Sequence, residues 1–244
     1  MKTQIITEII FAQIFDLLFN VLPDTHKQIL TVQYRMKRNI GNLISQVFYD
    51  GKIATEVDDK NRTHPIKKFE GKSIVWIDTS MMNGKDEDRL KGGSFCNYIE
   101  NTIIKKLLEC FKNENVIKDL DIGIITGYRG QKELIRKSVS NGGYDKISKK
   151  IDINTLDAFQ GRENDIIIYS TVRTKNSIGF QKEKERVNVA FSRAKDLLII
   201  CGDMDFFYKF DDPDNKFVEI IDYIHEHENK NIMLFCHQKK RKLR

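Results

Sequence analysis

The sequence predicts a three-layer α/β domain on a mostly parallel central sheet, and three observations carry that expectation. Short runs rich in β-branched residues alternate along the chain with segments whose apolar residues recur at helical spacing. Several of those runs are continuously apolar, as strands covered on both faces are. The chain of 244 residues, 40% of them hydrophobic and 31% charged, is also long enough to bury one substantial core.

Taken in order, Ile6, Ile9, Ile10, Ile14, Leu17, Leu18 and Val21 predict a helix over 4–21, ended by Pro23-Asp24. Strands are then expected at QILTVQ (28–33), SIVWID (73–78), DIGIIT (121–126), KIDINT (150–155), DIIIYSTV (165–172) and LLIIC (197–201). Helical patterns occupy 38–47, 94–112, 130–139, 183–195 and 215–228. Two polar stretches, 54–72 and 79–93, read as loop insertions, and Ser94 is the expected N-cap of the helix after the second. Residues 1–228 are expected to form a single domain, followed by a 229–244 extension with a basic tail.

Composition excludes several classes. The N-terminal segment is interrupted by Glu8, Gln13 and Asp16, which rules out a membrane span or a secretory leader there and points to an intracellular protein, cytoplasmic or nuclear. Cys96, Cys110, Cys201 and Cys236 are scattered without a CxxC pair, so no disulfide framework or Cys-rich zinc site is expected. His225, His227, Cys236 and His237 have no ligand spacing, and no metal site is expected there either. The net charge of +6 owes five charges to Lys239, Lys240, Arg241, Lys242 and Arg244, so the body is nearly neutral.

A phosphate cradle is the natural thing to look for in such a chain. Gly71-Lys72-Ser73 imitates the end of a P-loop, but Ile66 stands where the first glycine belongs and a strand follows instead of a helix. Asp86-Glu87-Asp88 imitates a magnesium-holding acidic box without the apolar strand that should precede it. Walker-type hydrolysis needs both parts.

Polar groups gather instead at strand ends, where α/β sheets bind ligands. Gln33-Tyr34-Arg35 follows the first strand, Thr126 ends another just before Arg129 and Gln131, and Thr155 ends a third before the loop Gln160-Gly161-Arg162-Glu163. Gly161 permits close backbone approach, and Glu163 is an acceptor suited to a ribose hydroxyl. In RVNVAFSRAKDLLIICGD, residues Val187, Ala190, Phe191 and Ala194 share an apolar sector with Arg186 and Arg193 at its margin. The expected helix therefore carries Arg193 and Lys195 into its last turn, next to a buried strand.

The order QYRM…FYDGKI, IGIITGYRGQ, NTLDAFQGRENDIIIYSTVR and RVNVAFSRAKDLLIICGD resembles the C-terminal RecA-like domain of superfamily 1 helicases of the Upf and Dna2 type, over roughly residues 10 to 228. Met36-Lys37-Arg38 and Gly127 depart from the family pattern at turns. The resemblance implies a RecA-like, P-loop-NTPase-type fold that lacks its own P-loop. It also implies an ATP site between two such domains. Arg35 and Arg193 would then be arginine fingers, with Tyr34 near the adenine, Glu163 at the ribose, and Gln33 and Gly161 also at the nucleotide. Thr126, Arg129, Gln131, Thr155 and Gln160 would follow the backbone of single-stranded DNA or RNA. ATP with magnesium would need the N-terminal RecA-like domain to hold the metal, and this chain alone would not hydrolyse ATP. The alternative is a non-catalytic module derived from such a helicase that retains only nucleic-acid or partner binding.

Overall fold

The computed structural model describes residues 21–28, 30–60, 62–148, 150–159, 163–228 and 232–235. The helix expected over 4–21 lies, except for Val21, outside the described residues, as do Gln160, Gly161 and the basic tail. The chain falls into two compact units, residues 1–31 and 32–244. In the first, a 3-10 turn at Asp24–His26 follows Pro23, whose carbonyl accepts from His26 N at 2.9 Å.

The second unit carries strands β1 (Val32–Gln33), β2 (Ala54–Thr55), β3 (Ile74–Asp78), β4 (Asp88–Arg89), β5 (Phe95–Cys96), β6 (Ile122–Thr126), β7 (Ile151–Thr155), β8 (Asn164–Ser170), β9 (Ala194–Gly202) and β10 (Ile232–Phe235). Its helices are α1 (Arg38–Tyr49), α2 (Tyr98–Asn113), α3 (Arg129–Asn141), α4 (Tyr144–Ile147), α5 (Lys184–Phe191), α6 (Met204–Lys209) and α7 (Phe217–His227). The central sheet has six strands in the order β10-β3-β9-β8-β6-β7. Every neighbouring pair in it is parallel. All its carboxyl ends therefore point the same way.

Alternation along each strand explains the three layers. Ile74 and Trp76, Leu198 and Ile200, and Ile167 and Tyr169 face one side, where α1, α5 and α7 contribute Leu43, Phe191 and Ile220. Val75 and Ile77, Leu197 and Ile199, and Ile166 and Ile168 face the other, where α2 and α3 contribute Leu107, Phe111 and Ile135. Both faces are apolar, so the strand sequences read as unbroken hydrophobic runs. Trp76 is part of this core, its indole N–H donating to Gly202 O at 3.1 Å.

Four expectations change. The strand expected over 28–33 is, among the described residues, only Val32–Gln33, and it pairs with β2 apart from the central sheet. Asn97, not Ser94, caps α2: its side chain accepts from Glu100 N at 3.0 Å, while Ser94 Oγ accepts from Gly130 N at 2.9 Å. The helix expected over 183–195 stops at Phe191, leaving Arg193 in a turn and Lys195 on β9. Strand β10, unforeseen in the sequence, pairs with β3 at the sheet edge.

Candidate nucleotide and single-strand site

The loop after β1 is shaped by one side chain. Gln33 Oε1 accepts from Arg35 N at 2.9 Å and Met36 N at 2.8 Å, while Nε2 donates to Met36 O at 3.0 Å and Thr55 Oγ1 at 2.7 Å. The amide is fully used inside the fold, so Gln33 shapes this loop and has no free group for a nucleotide. Met36, 5% exposed, plugs the loop into the core, and Lys37 N donates to Lys195 O at 2.8 Å. Arg35 is thus held directly beside the turn that carries Arg193.

The contacts of Arg35 join three separated segments. Its Nε donates to Glu163 Oε2 at 2.7 Å and its Nη1 reaches Ser192 O at 3.4 Å, while Asn164 N donates to Arg193 O at 3.1 Å. Arg193 Nε is buried without a hydrogen-bond partner. Its pKa is lowered by burial and by the neighbouring Arg35 guanidinium, against which Glu163 acts. Two guanidinium groups therefore lie within electrostatic reach of each other while the one neighbouring carboxylate pairs with Arg35, an arrangement that invites a further anion.

The surrounding side chains divide by what they are free to do. Tyr34 is 64% exposed and donates through its hydroxyl to Glu56 Oε2 at 3.3 Å. Lys195 does not point at the arginines; it pairs with Asp165 at 2.7 Å, and that carboxylate holds its pKa up although burial pulls it down. Arg62, from the loop at 54–72, donates to the carbonyl of Arg35; burial raises the carboxyl pKa of half-buried Asp196, and the Arg62 charge only partly offsets that rise. Nothing in the local sequence around Arg62 signals this third guanidinium.

At the other strand ends, Thr126 and Gln131 are fully buried. Gln131 Oε1 accepts from Asn97 N at 2.8 Å, and its Nε2 donates to Asn97 O at 3.2 Å and Ser170 Oγ at 2.9 Å. Neither side chain reaches the surface where a strand was expected to touch it. Arg129 is exposed and Thr155 half-buried, and both remain available. Within the acidic triplet Glu87 is structural: it is buried and pairs with Arg173 at 3.3 Å, and its Oε2 accepts from Thr174 N at 3.0 Å, while Asp86 and Asp88 are exposed. Among the described residues, no group of three His, Cys, Asp or Glu side chains is placed to hold a metal ion, and no helix is long and apolar enough to cross a membrane.

Residues 10–205 match the family model AAA_12, described as an AAA domain. The chain is 36% identical over 182 residues to the ATP-dependent helicase NAM7 of Saccharomyces cerevisiae and 35% identical over 183 residues to the ATP-dependent helicase upf1 of Schizosaccharomyces pombe. It belongs to this family, as a C-terminal domain of a superfamily 1 helicase of the Upf1 type. It is also 31% identical over 210 residues to the DNA polymerase alpha-associated DNA helicase A of S. cerevisiae. These alignments cover 71%, 71% and 79% of this helicase domain but only 18%, 19% and 30% of the relatives, so the chain spans a minor part of their length.

Proposed function

We propose that this domain forms one wall of an ATP site, with Arg35 and Arg193 directed at the triphosphate, and that its sheet edge carries a single strand of DNA or RNA. The P-loop and the magnesium-holding carboxylates belong in this reading to a first RecA-like domain. The observation that carries it is the placing of the Arg193 guanidinium, its Nε buried and unpartnered, beside an Arg35 whose own partner is Glu163. The donor set at this wall is cationic, so it fits the phosphates and not the metal.

Bound there, ATP supplies a phosphoryl group whose negative charge must be stabilised as it transfers. A planar, permanently charged guanidinium suits that task, and such a finger is worth about 10³–10⁵ in rate. Glu163 holds Arg35 in place until a phosphate competes for it, and Tyr34 offers an exposed ring at the site's margin for the adenine. Gly161 is proposed to approach the nucleotide through its backbone, and Gln160, Arg129 and Thr155 to line the strand.

The test is ATP hydrolysis after mixing the chain with a P-loop-bearing first domain from one of the relatives, in the presence of single strand. Stimulation by the wild-type chain, lost by about 10³ in Arg193→Ala and in Arg35→Ala, is expected. Equal stimulation by the variants would remove the finger role. No stimulation by the wild-type chain would favour a binding module that takes no part in hydrolysis.

A further inference from the structure

The burial of Thr126 raises the question of what stands above it. The 178–182 turn lies close by: a Cβ built on Gly127, the next residue, would lie 3.6 Å from Phe180 Cβ and 3.8 Å from a Leu156 methyl, so Phe180 packs over Gly127 just past the end of β6. Phe180 is 46% exposed although Ile178 and Gln181 beside it are fully buried. Gln181 Nε2 anchors the turn on Thr171 O at 2.6 Å. Gly179 adopts φ 61°, and the Tyr128 hydroxyl fills the space a side chain would need there. An exposed aromatic is thus mounted on a turn with little freedom to move.

The ring belongs to a row. It tilts against Tyr128 at 5.5 Å between centroids, and Tyr128 meets Phe95 edge-on at 5.7 Å. Arg186 lies 5.4 Å from the Phe180 centroid but is paired with Glu183 and Asp157, so it braces the ring and offers little charge to a ligand. Arg129, next to Tyr128, and Arg89, on the β4–β5 hairpin, are exposed and pair with no carboxylate among the described residues. An aromatic face beside unneutralised cations is the pairing that binds single strands: the rings stack on bases and the cations meet phosphates.

We infer that Phe180 is a stacking platform for one base of a single strand whose phosphates pass Arg129 and Arg89. This rests on the reading that the sheet edge carries a single strand, and assigns the contact to a residue that the strand-end motifs do not include.

The test is fluorescence anisotropy with the full chain and labelled DNA and RNA strands of about 12 nucleotides, intact or abasic at every position. Phe180→Ala and Phe180→Leu are expected to weaken intact-strand binding by about tenfold, Phe180→Trp to retain it, and all three to bind the abasic strand as wild type does. Arg129→Ala is expected to lower the salt slope by about one on both strands. Wild-type affinity in Phe180→Leu for the intact strand, or equal losses on intact and abasic strands, would overturn the platform while leaving the single-strand reading standing. A wild-type chain that binds neither strand would overturn both.

Discussion

Glu100 is a fully buried acid, and replacing it with glutamine tests how its surroundings hold it. The carboxyl is fully buried at the start of α2. Around it, Ser170 Oγ lies at 2.5 Å, Thr171 Oγ1 at 3.1 Å, and Val172 N donates to both oxygens at 2.9 and 3.0 Å. Burial outweighs these donors and pushes its pKa up from 4.5 to about 8. The folded state therefore holds a proton that the unfolded chain releases above pH 4.5. The stability this contributes is fully present below that pH, is lost as pH rises towards 8, and changes little beyond. At 1.36 kcal/mol per unit, the loss between pH 5 and pH 8 comes to about 4 kcal/mol, a large share of a typical domain's stability. Glutamine imitates the protonated acid in shape, presenting a carbonyl to Val172 N and an amide to Ser170, and cannot titrate. Urea unfolding at unit steps from pH 5 to pH 9 should show the wild type losing stability relative to Glu100→Gln by that amount. Parallel profiles for the two proteins would refute the assignment of a neutral, buried Glu100.

Two further substitutions probe the scaffold. A Cβ on Gly41 would run into Thr55 Oγ1 and lie 2.6 Å from Gln33 Nε2, so Gly41→Ala should cost about 1–3 kcal/mol in chemical unfolding and weaken ATP binding by loosening the loop that holds Arg35. Ile199→Ala, in the centre of β9 with no solvent exposure, should cost about 2–5 kcal/mol by the same assay while leaving the chemistry of the arginine pair untouched.

The buried strands were legible because both of their faces are covered: Ile74–Asp78, Ile122–Thr126 and Ala194–Gly202 stand out as apolar runs whatever packs on them. The convergence of Arg35, Glu163 and Arg193 was not legible from strand ends. Glu163 and Arg193 precede β8 and β9 at the amino edge of the central sheet, and Arg35 joins them because the loop after β1, outside that sheet, is tied to β9 by Lys37 N donating to Lys195 O. Periodicity failed where it continues past a break. The pattern Val187, Ala190, Phe191, Ala194 keeps helical spacing, yet Ala194 belongs to β9, because the chain turns at Ser192 to pair Asn164 with Ala194. Ser94 and Asn97 are equally good caps locally; the contacts of Asn97 with Gln131 and Val172, distant in sequence, decide between them. The packing of Phe180 over Gly127 likewise depends on a turn more than fifty residues away, which no local spacing encodes.

The Arg35–Arg193 pair is tested most directly by following the arginine Nε–H signals of the full chain by NMR during titration with ATP. The two resonances, assigned from Arg35→Ala and Arg193→Ala, should move together, with the unpartnered Arg193 Nε–H shifting most and each substitution weakening binding. Binding of ATP that leaves both resonances in place, or equal affinity in the double variant, would contradict the account.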